Sequence, residues 1–472
     1  MEILTIILSF FFVSFTDKGG SDKIALSSEA LALRAQRGIA IDSLDYAVCP
    51  AYLDSLRNKG ARICHTSRWM NGATVYCHKP ERDAISQLPF VKSIDFTSGL
   101  QEWLDDLNNE QKKRGMLYQP QDEEFPDYTK QLEVFNLLTL HEAGYKGQGV
   151  TIAVIDGGFW NLSTAASFDS IRTHEQLLGK LDFAEDDAEF EGSEGEHGAV
   201  CLGLIAGHTE NYEGAATQAK FYAVKSEEFG METRKEVDNL VASIEACDSL
   251  GVWIASISLG YSTLEETPLD YTYSDMNGKN VRSSQAATIA TRKGMLVCVA
   301  AGNTGATQDW PWIASPADAD SILTVGAIQY DSIPAPFSSI GPTYDGRMKP
   351  EVCAVGKQTC LISANTGSLY YGNGTSFATP LIAGLAACLW SALPDETNME
   401  IRERIIRSCD HYTSPDNKTG YGIPDAWKAY SNKPEATEHL GSLSVTSRKI
   451  IRNGRLIIIR DGIAYDILGN KQ

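Results

Sequence analysis

Ser376 stands in Gly374-Thr375-Ser376-Phe377-Ala378-Thr379-Pro380, a glycine turn that runs directly into the apolar helical stretch 381–393. A hydroxyl there lies at a helix N-terminus, where unpaired N–H groups and the positive end of the dipole favour a developing negative charge. That placement suits a nucleophile forming a tetrahedral oxyanion, although a plain N-cap serine is the commoner reading of a lone Gly-x-Ser. Three other residues change the balance. Asp156 ends the β-branched run 151–155 and is followed by Gly157-Gly158; carboxyl ends of strands are where sites form in open parallel sheets. His197, in Glu196-His197-Gly198-Ala199, precedes the apolar stretch 200–206, and the glycine beside it leaves room for a substrate backbone. Asn303 closes the buried run Ala300-Ala301-Gly302 with an amide able to donate to an oxyanion. A base, an orienting carboxylate and an oxyanion donor around a serine are the parts of acyl transfer.

These residues need a frame. Strand-like runs at 150–155, 220–225, 252–258, 295–301 and 321–327 alternate with helix-like runs at 234–250 and 283–293. In the first helix Val237, Leu240, Val241, Ile244 and Cys247 recur with a helical period. Strands without polar alternation, separated by helices, predict a parallel sheet covered on both faces. The stretch 129–430 is therefore an α/β domain.

Residues 17–97 read as a separate small unit. Helices at 27–38 and 81–88 and strands at 61–65, 73–78 and 90–96, with a strand around 13–16, make a β-α-β-β-α-β sandwich. Residues 98–128 are polar and hold the acidic run Asp122-Glu123-Glu124, which predicts an accessible linker with a processing site. From 431 the chain becomes polar again and ends in a hairpin pattern, 456–460 and 464–468 around Asp461-Gly462.

Composition excludes several classes. Over 472 residues, 41 basic against 61 acidic residues give a formal charge of −20, which argues against nucleic acid or an anionic membrane as the main partner. The apolar run 3–15 reads first as a signal-peptide core, with Glu2 where a basic residue is usual; a buried first strand over 12–16 is the rival reading, and the two can overlap. No later segment reads as membrane-spanning. Of the ten cysteines, Cys201, Cys298 and Cys388 read as small buried hydrophobes. Cys64/Cys77 and Cys353/Cys360 are candidate bridges, and the lack of C-x-x-C spacing argues against a zinc site. The acidic stretch 185–196 reads as a solvated loop and Asp275-Met276-Asn277-Gly278 as a turn, so no metal site is assigned. A dinucleotide site would need a third glycine after Gly157-Gly158-Phe159, which is absent.

The order Asp156, His197, Asn303, Ser376 resembles the subtilisin-like serine proteases (subtilases). Ser258-Leu259-Gly260 resembles their substrate-lining strand, and Phe337-Ser338-Ser339-Ile340-Gly341-Pro342 with Lys349-Pro350-Glu351-Val352 resembles their approach to the serine turn. The resemblance spans about 130–430. It implies a subtilisin-like fold and an Asp156–His197–Ser376 triad, with Asn303 in the oxyanion hole. Ser258, Leu259, Gly260, Ala301 and Gly302 would bind substrate. Gly157, Ala199-Val200 and Val355 depart from the family pattern without removing a catalytic atom. The resemblance further implies protein or peptide substrates, no required cofactor and the option of a structural calcium. Unit 17–97 would be a ferredoxin-like propeptide inhibiting the same chain, and the location secreted, periplasmic or at the cell surface. The tail, with Asn453-Gly454, Tyr465-Asp466 and Gly469, weakly resembles type IX secretion sorting domains, the alternative being a plain β-hairpin appendage. The rival expectation is a catalytically silent surface or binding protein on the same fold.

Overall fold

The computed structural model describes residues 8–99, 127–184, 189–228, 232–264, 269–432, 448–452, 455–460 and 463–465. Most of the linker 98–128, and parts of the acidic loop and tail, lie outside the described residues. Two compact units are present, 1–431 and 432–472.

Within the first unit, β1 (Leu8–Phe15) pairs antiparallel with both β3 (Gly72–His78) and β4 (Val91–Gly99), and β2 (Arg62–Ser67) pairs with β3. The order β2-β3-β1-β4 makes β1 a central strand. Phe11, Val13 and Phe15 are buried in its core beside Val75 and Leu56. Over Leu8–Phe15 the apolar run forms a middle strand of this sheet, so a signal core here would overlap the first strand. Cutting after residue 16 would remove that strand.

The helices of this unit differ from the sequence reading. α1 (Ser28–Gln36) is capped by the Ser27 side chain on the Ala30 N–H, yet none of its residues joins the core beneath the sheet. That place belongs to α2 (Pro50–Asn58), started by Pro50 at its first position and burying Leu56. α3 (Lys79–Ile85) is the other sheet helix and buries Ile85. Residues 17–49 are therefore an insertion between β1 and α2, and α1 packs elsewhere.

The larger domain is built on a sheet of seven strands: β5 (Thr151–Asp156), β6 (Leu177–Asp182), β7 (Lys220–Lys225), β8 (Ile254–Ile257), β9 (Leu296–Ala300), β10 (Leu323–Ile328) and β11 (Val352–Val355). Every pairing is parallel, in the order β11-β10-β9-β8-β5-β7-β6. From β5 the chain goes to the edge strand β6, fills the gap between them with β7, then crosses to build the other side from β8 outward. The carboxyl end of β5 is the switch point where such sheets open a crevice. Helices cover both faces. α4 (Glu196–Ala206) and α7 (Thr375–Ala392) lie in one apolar cluster, and α5 (Arg234–Ser249) and α6 (Arg282–Arg292) in the other. α7 meets the length and composition of a membrane span, contrary to the sequence expectation, but 89% of it is buried inside this core.

Among the described residues no disulfide joins any of the cysteines. Cys64 lies at the irregularity where β2 shifts register between Ile63 and His65, opposite Val75 and Thr74 rather than Cys77. Cys353 sits in β11 with its thiol toward the Thr419 carbonyl at 3.4 Å, whereas Cys360 belongs to a separate two-stranded hairpin. In the second unit, strands Arg448–Arg452, Arg455–Arg460 and Ile463–Tyr465 form an antiparallel sheet, one strand more than the expected hairpin.

Candidate active site

Asp156, the last residue of β5, is buried, and its Oδ1 accepts hydrogen bonds from the Gly157 N–H and from His197 Nδ1, each at 2.8 Å. His197 is the second residue of α4, and its side chain is one-third exposed, at 33%. Helix and strand come this close because of glycine. A Cβ on Gly198 would stand 2.1 Å from the Gly158 carbonyl oxygen and 2.8 Å from the Asp156 Cβ. The room that Gly198 leaves is thus for the turn after β5, not for a substrate backbone. Burial by itself lowers the pKa of His197, but the Asp156 carboxylate outweighs it and holds the imidazole well above its ordinary value.

Ser376 is the second residue of α7, behind the Gly374 N-cap, where its N–H has no intrahelical acceptor. Pro380, four residues on, has no N–H to give to the Ser376 carbonyl. That carbonyl instead accepts from Ser258 Oγ at 2.9 Å and from Cys201 Sγ at 3.4 Å. Burial raises the Cys201 pKa, keeping it a thiol and so a donor. The Ser376 hydroxyl lies 3.4 Å from the Ser258 carbonyl. Among the described residues no hydrogen bond joins it to His197.

Asn303 follows β9. Its Oδ1 accepts from the Thr375 N–H at 2.8 Å and from Thr375 Oγ1 at 3.0 Å, and Thr375 Oγ1 accepts from the Gly302 N–H at 3.2 Å. Because the backbone N–H can only donate, the amide orientation is fixed and the NH₂ end is left free to donate elsewhere. Gly302, at φ +110°, packs where a Cβ would meet Ser339 Oγ at 2.8 Å. Ala301 is fully buried and Ser258 is committed to the serine helix. Of the five residues expected to bind substrate, Leu259, Gly260 and Gly302 keep some accessible surface.

Sequence reasoning missed Cys201, Thr375 and Pro380. The signal was present in two cases: Cys201 is i+4 from His197 and Pro380 is i+4 from Ser376, the spacing that shares a helix face or a backbone bond.

The Subtilase family model matches residues 147–422, more than half the chain, and the model described as Peptidase S8 propeptide domain, Bacteroidota, matches 10–114. Serine protease AprX of Bacillus subtilis (strain 168) is 30% identical over 321 residues, 59% of this chain and 66% of that protein. The match thus spans just under two thirds of AprX. Subtilisin BL of Lederbergia lenta is 30% identical over 291 residues, 61% of this chain and 92% of that one. Among solved structures, MycP1 from the ESX-1 type VII secretion system superposes with a TM-score of 0.52 at 22% identity, covering 66% of this chain and 88% of its own. Parallel seven-stranded sheet, helix-borne serine and family match agree, and this chain belongs to the subtilase family, with a family propeptide at its N-terminus.

Proposed function

We propose that this chain is an exported serine endopeptidase made as a zymogen, acting through Asp156, His197 and Ser376. The observation that carries the reading is the 2.8 Å His197 Nδ1–Asp156 bond beside a serine at a helix N-terminus. Ser376 Oγ rotates from the Ser258 carbonyl toward His197 Nε2, gives up its proton there and bonds to the peptide carbonyl carbon. Contacts of this kind are often loose before substrate binds. Asp156 holds Nδ1–H in place and stabilises the imidazolium. The oxyanion takes the Asn303 amide and the Ser376 N–H. The proton passes to the leaving amine as the C–N bond breaks; water, deprotonated by the same imidazole, then bonds to the acyl carbon, and the imidazolium returns that proton to Ser376 Oγ as the ester bond breaks.

In this reading the propeptide inhibits its own chain until the linker 98–128 is cut and the propeptide has left, and the mature enzyme works in the periplasm, at the cell surface or outside. The C-terminal unit serves as the sorting signal. The step that tests the chemistry is labelling with a fluorophosphonate probe. The parent chain, freed of its propeptide, takes the label and Ser376→Ala does not; a labelled Ser376→Ala chain refutes the assignment, and an unlabelled parent marks the silent surface protein.

A further inference from the structure

The insertion 17–49 does not pack on the propeptide's own sheet. It runs to the amino ends of β8 and β9, the opposite end of the sheet from Asp156, Ser258 and Asn303. Five residues of strand separate Trp253 from Ser258, about 16 Å at roughly 3.3 Å per residue. At that far end the Ser27 N–H donates to the Ser249 carbonyl at 2.8 Å. Two turn glycines let the backbones meet. A Cβ on Gly251 (φ +76°) would stand 3.1 Å from the Ala30 nitrogen, and one on Gly294 (φ +95°) would stand 2.6 Å from Ile39 Cδ1. The chain needs glycine at both turns for the left-handed backbone, and the contact uses the space each leaves.

Arg37, just past α1, fills the slot between them. Its guanidinium carbon is 4.3 Å from the Trp253 ring centroid and 4.5 Å from that of Trp390, and its Nη1 donates to the Gly294 carbonyl at 2.5 Å. The two indoles meet edge to face at 5.0 Å. Burial lowers the Arg37 pKa to about 10, so the group stays charged at neutral pH. A planar cation between two electron-rich faces with a carbonyl at its edge is an arginine-recognising arrangement. Lys293 of the larger domain closes the other side, reaching Asp45 at 2.7 Å and Asp42 at 2.9 Å.

We propose that the catalytic domain carries a second binding site, remote from Ser376, whose ligand is an arginine presented at the end of a short helix. The occupant is the chain's own segment 27–45, and the site holds the propeptide in place after the linker is cut. The inference rests on reading residues 8–99 as a propeptide and is independent of whether Ser376 reacts.

The test uses the full chain carrying Ser376→Ala, with the recognition sequence of an unrelated site-specific protease placed in the linker. After cutting, the half-life of the two-fragment complex is read by gel filtration on dilution. Arg37→Ala shortens that half-life by about tenfold or more, equivalent to about 1.4 kcal/mol. Arg37→Lys, which keeps charge but loses the stacking plane, falls between parent and Arg37→Ala. Lys79→Ala, removing an exposed ion pair elsewhere on the propeptide, leaves the half-life unchanged. Should Arg37→Ala fail to fold, Trp253→Leu asks the same question from the other side. An Arg37→Ala or Trp253→Leu complex as long-lived as the parent, or a Lys79→Ala loss of equal size, overturns the proposal. Failure of the parent chain, freed of its propeptide, to take the fluorophosphonate label would count against the protease reading alone.

Discussion

At the scale of single residues, the pairing of Asp156 with His197 controls when the base is available. Proton transfer from Ser376 needs a neutral imidazole, and the carboxylate at 2.8 Å raises the pKa of His197 despite its burial. A raised pKa keeps the ring protonated to higher pH. The acidic limb of kcat/KM is therefore expected above the ordinary histidine value of about 6.5. Asp156→Asn removes the charge but not the shape. Its acidic limb moves to lower pH while kcat falls about 10⁴-fold, the loss known for the corresponding change in a related triad. A pH profile of both chains on a peptide substrate decides it, and an unmoved limb would mean that something other than Asp156 sets the base. The Ser376 carbonyl shows the same economy of contact. Pro380 takes away its helical partner, and Ser258 and Cys201 replace it.

At the scale of elements, Asp156, His197 and Ser376 each sit where a strand or helix pattern breaks against glycine, which is why the sequence exposed all three. Asp156 ends β5 before Gly157-Gly158, His197 begins α4 beside Gly198, and Ser376 begins α7 after Gly374. Unbroken apolar runs also revealed the parallel sheet through five of its seven strands; β6, whose residues alternate between half-buried and exposed, and the four-residue β11 carry no such signal. The sequence could not reveal what those glycines touch. Gly198 was read as room for substrate, whereas its space is filled by the Gly158 carbonyl. The pattern at 27–38 identifies a helix but not its neighbour, because local periodicity says that a face is buried but not against which domain. Gly198→Ala tests the packing argument. With a Cβ 2.1 Å from a backbone oxygen, α4 must move away from β5. Overpacking of this kind costs about 1–3 kcal/mol, and a shift of His197 by about 1 Å costs on the order of 10² in rate. Thermal melting and kcat/KM should fall together; full activity at parental stability would show that the turn after β5 yields freely.

At the scale of the whole molecule, propeptide and enzyme are joined by charges that cross between them. Asp248 on α5 accepts from Arg34 at 2.7 and 2.8 Å and from Arg68 at 2.5 Å. Arg34 also meets Asp45 at 3.1 Å, and Asp45 meets Lys293, so the signs alternate along the interface. Glu245, one turn before Asp248, accepts from the Arg68 and Trp69 N–H groups at 2.9 and 3.2 Å. These side chains are nearly fully buried in the joined chain, with Arg34, Arg68 and Asp248 each at 4–6% exposure. Salt screens such pairs far less than surface ones. Their worth is nevertheless asymmetric. Removing one partner strands the others without water or countercharge, at a cost of about 3–5 kcal/mol. Once the propeptide leaves, Asp248 faces solvent and needs no partner. Asp248→Asn should therefore destabilise the uncut Ser376→Ala chain by several kcal/mol in denaturant unfolding. The processed catalytic domain carrying the same change should melt within about 0.5 kcal/mol of its parent, as surface substitutions do. Equal losses in both forms would place Asp248 among the enzyme's own supports. Equal indifference would mean that the apolar contacts at Gly251, Gly294 and the two tryptophans hold the propeptide without help from the charges.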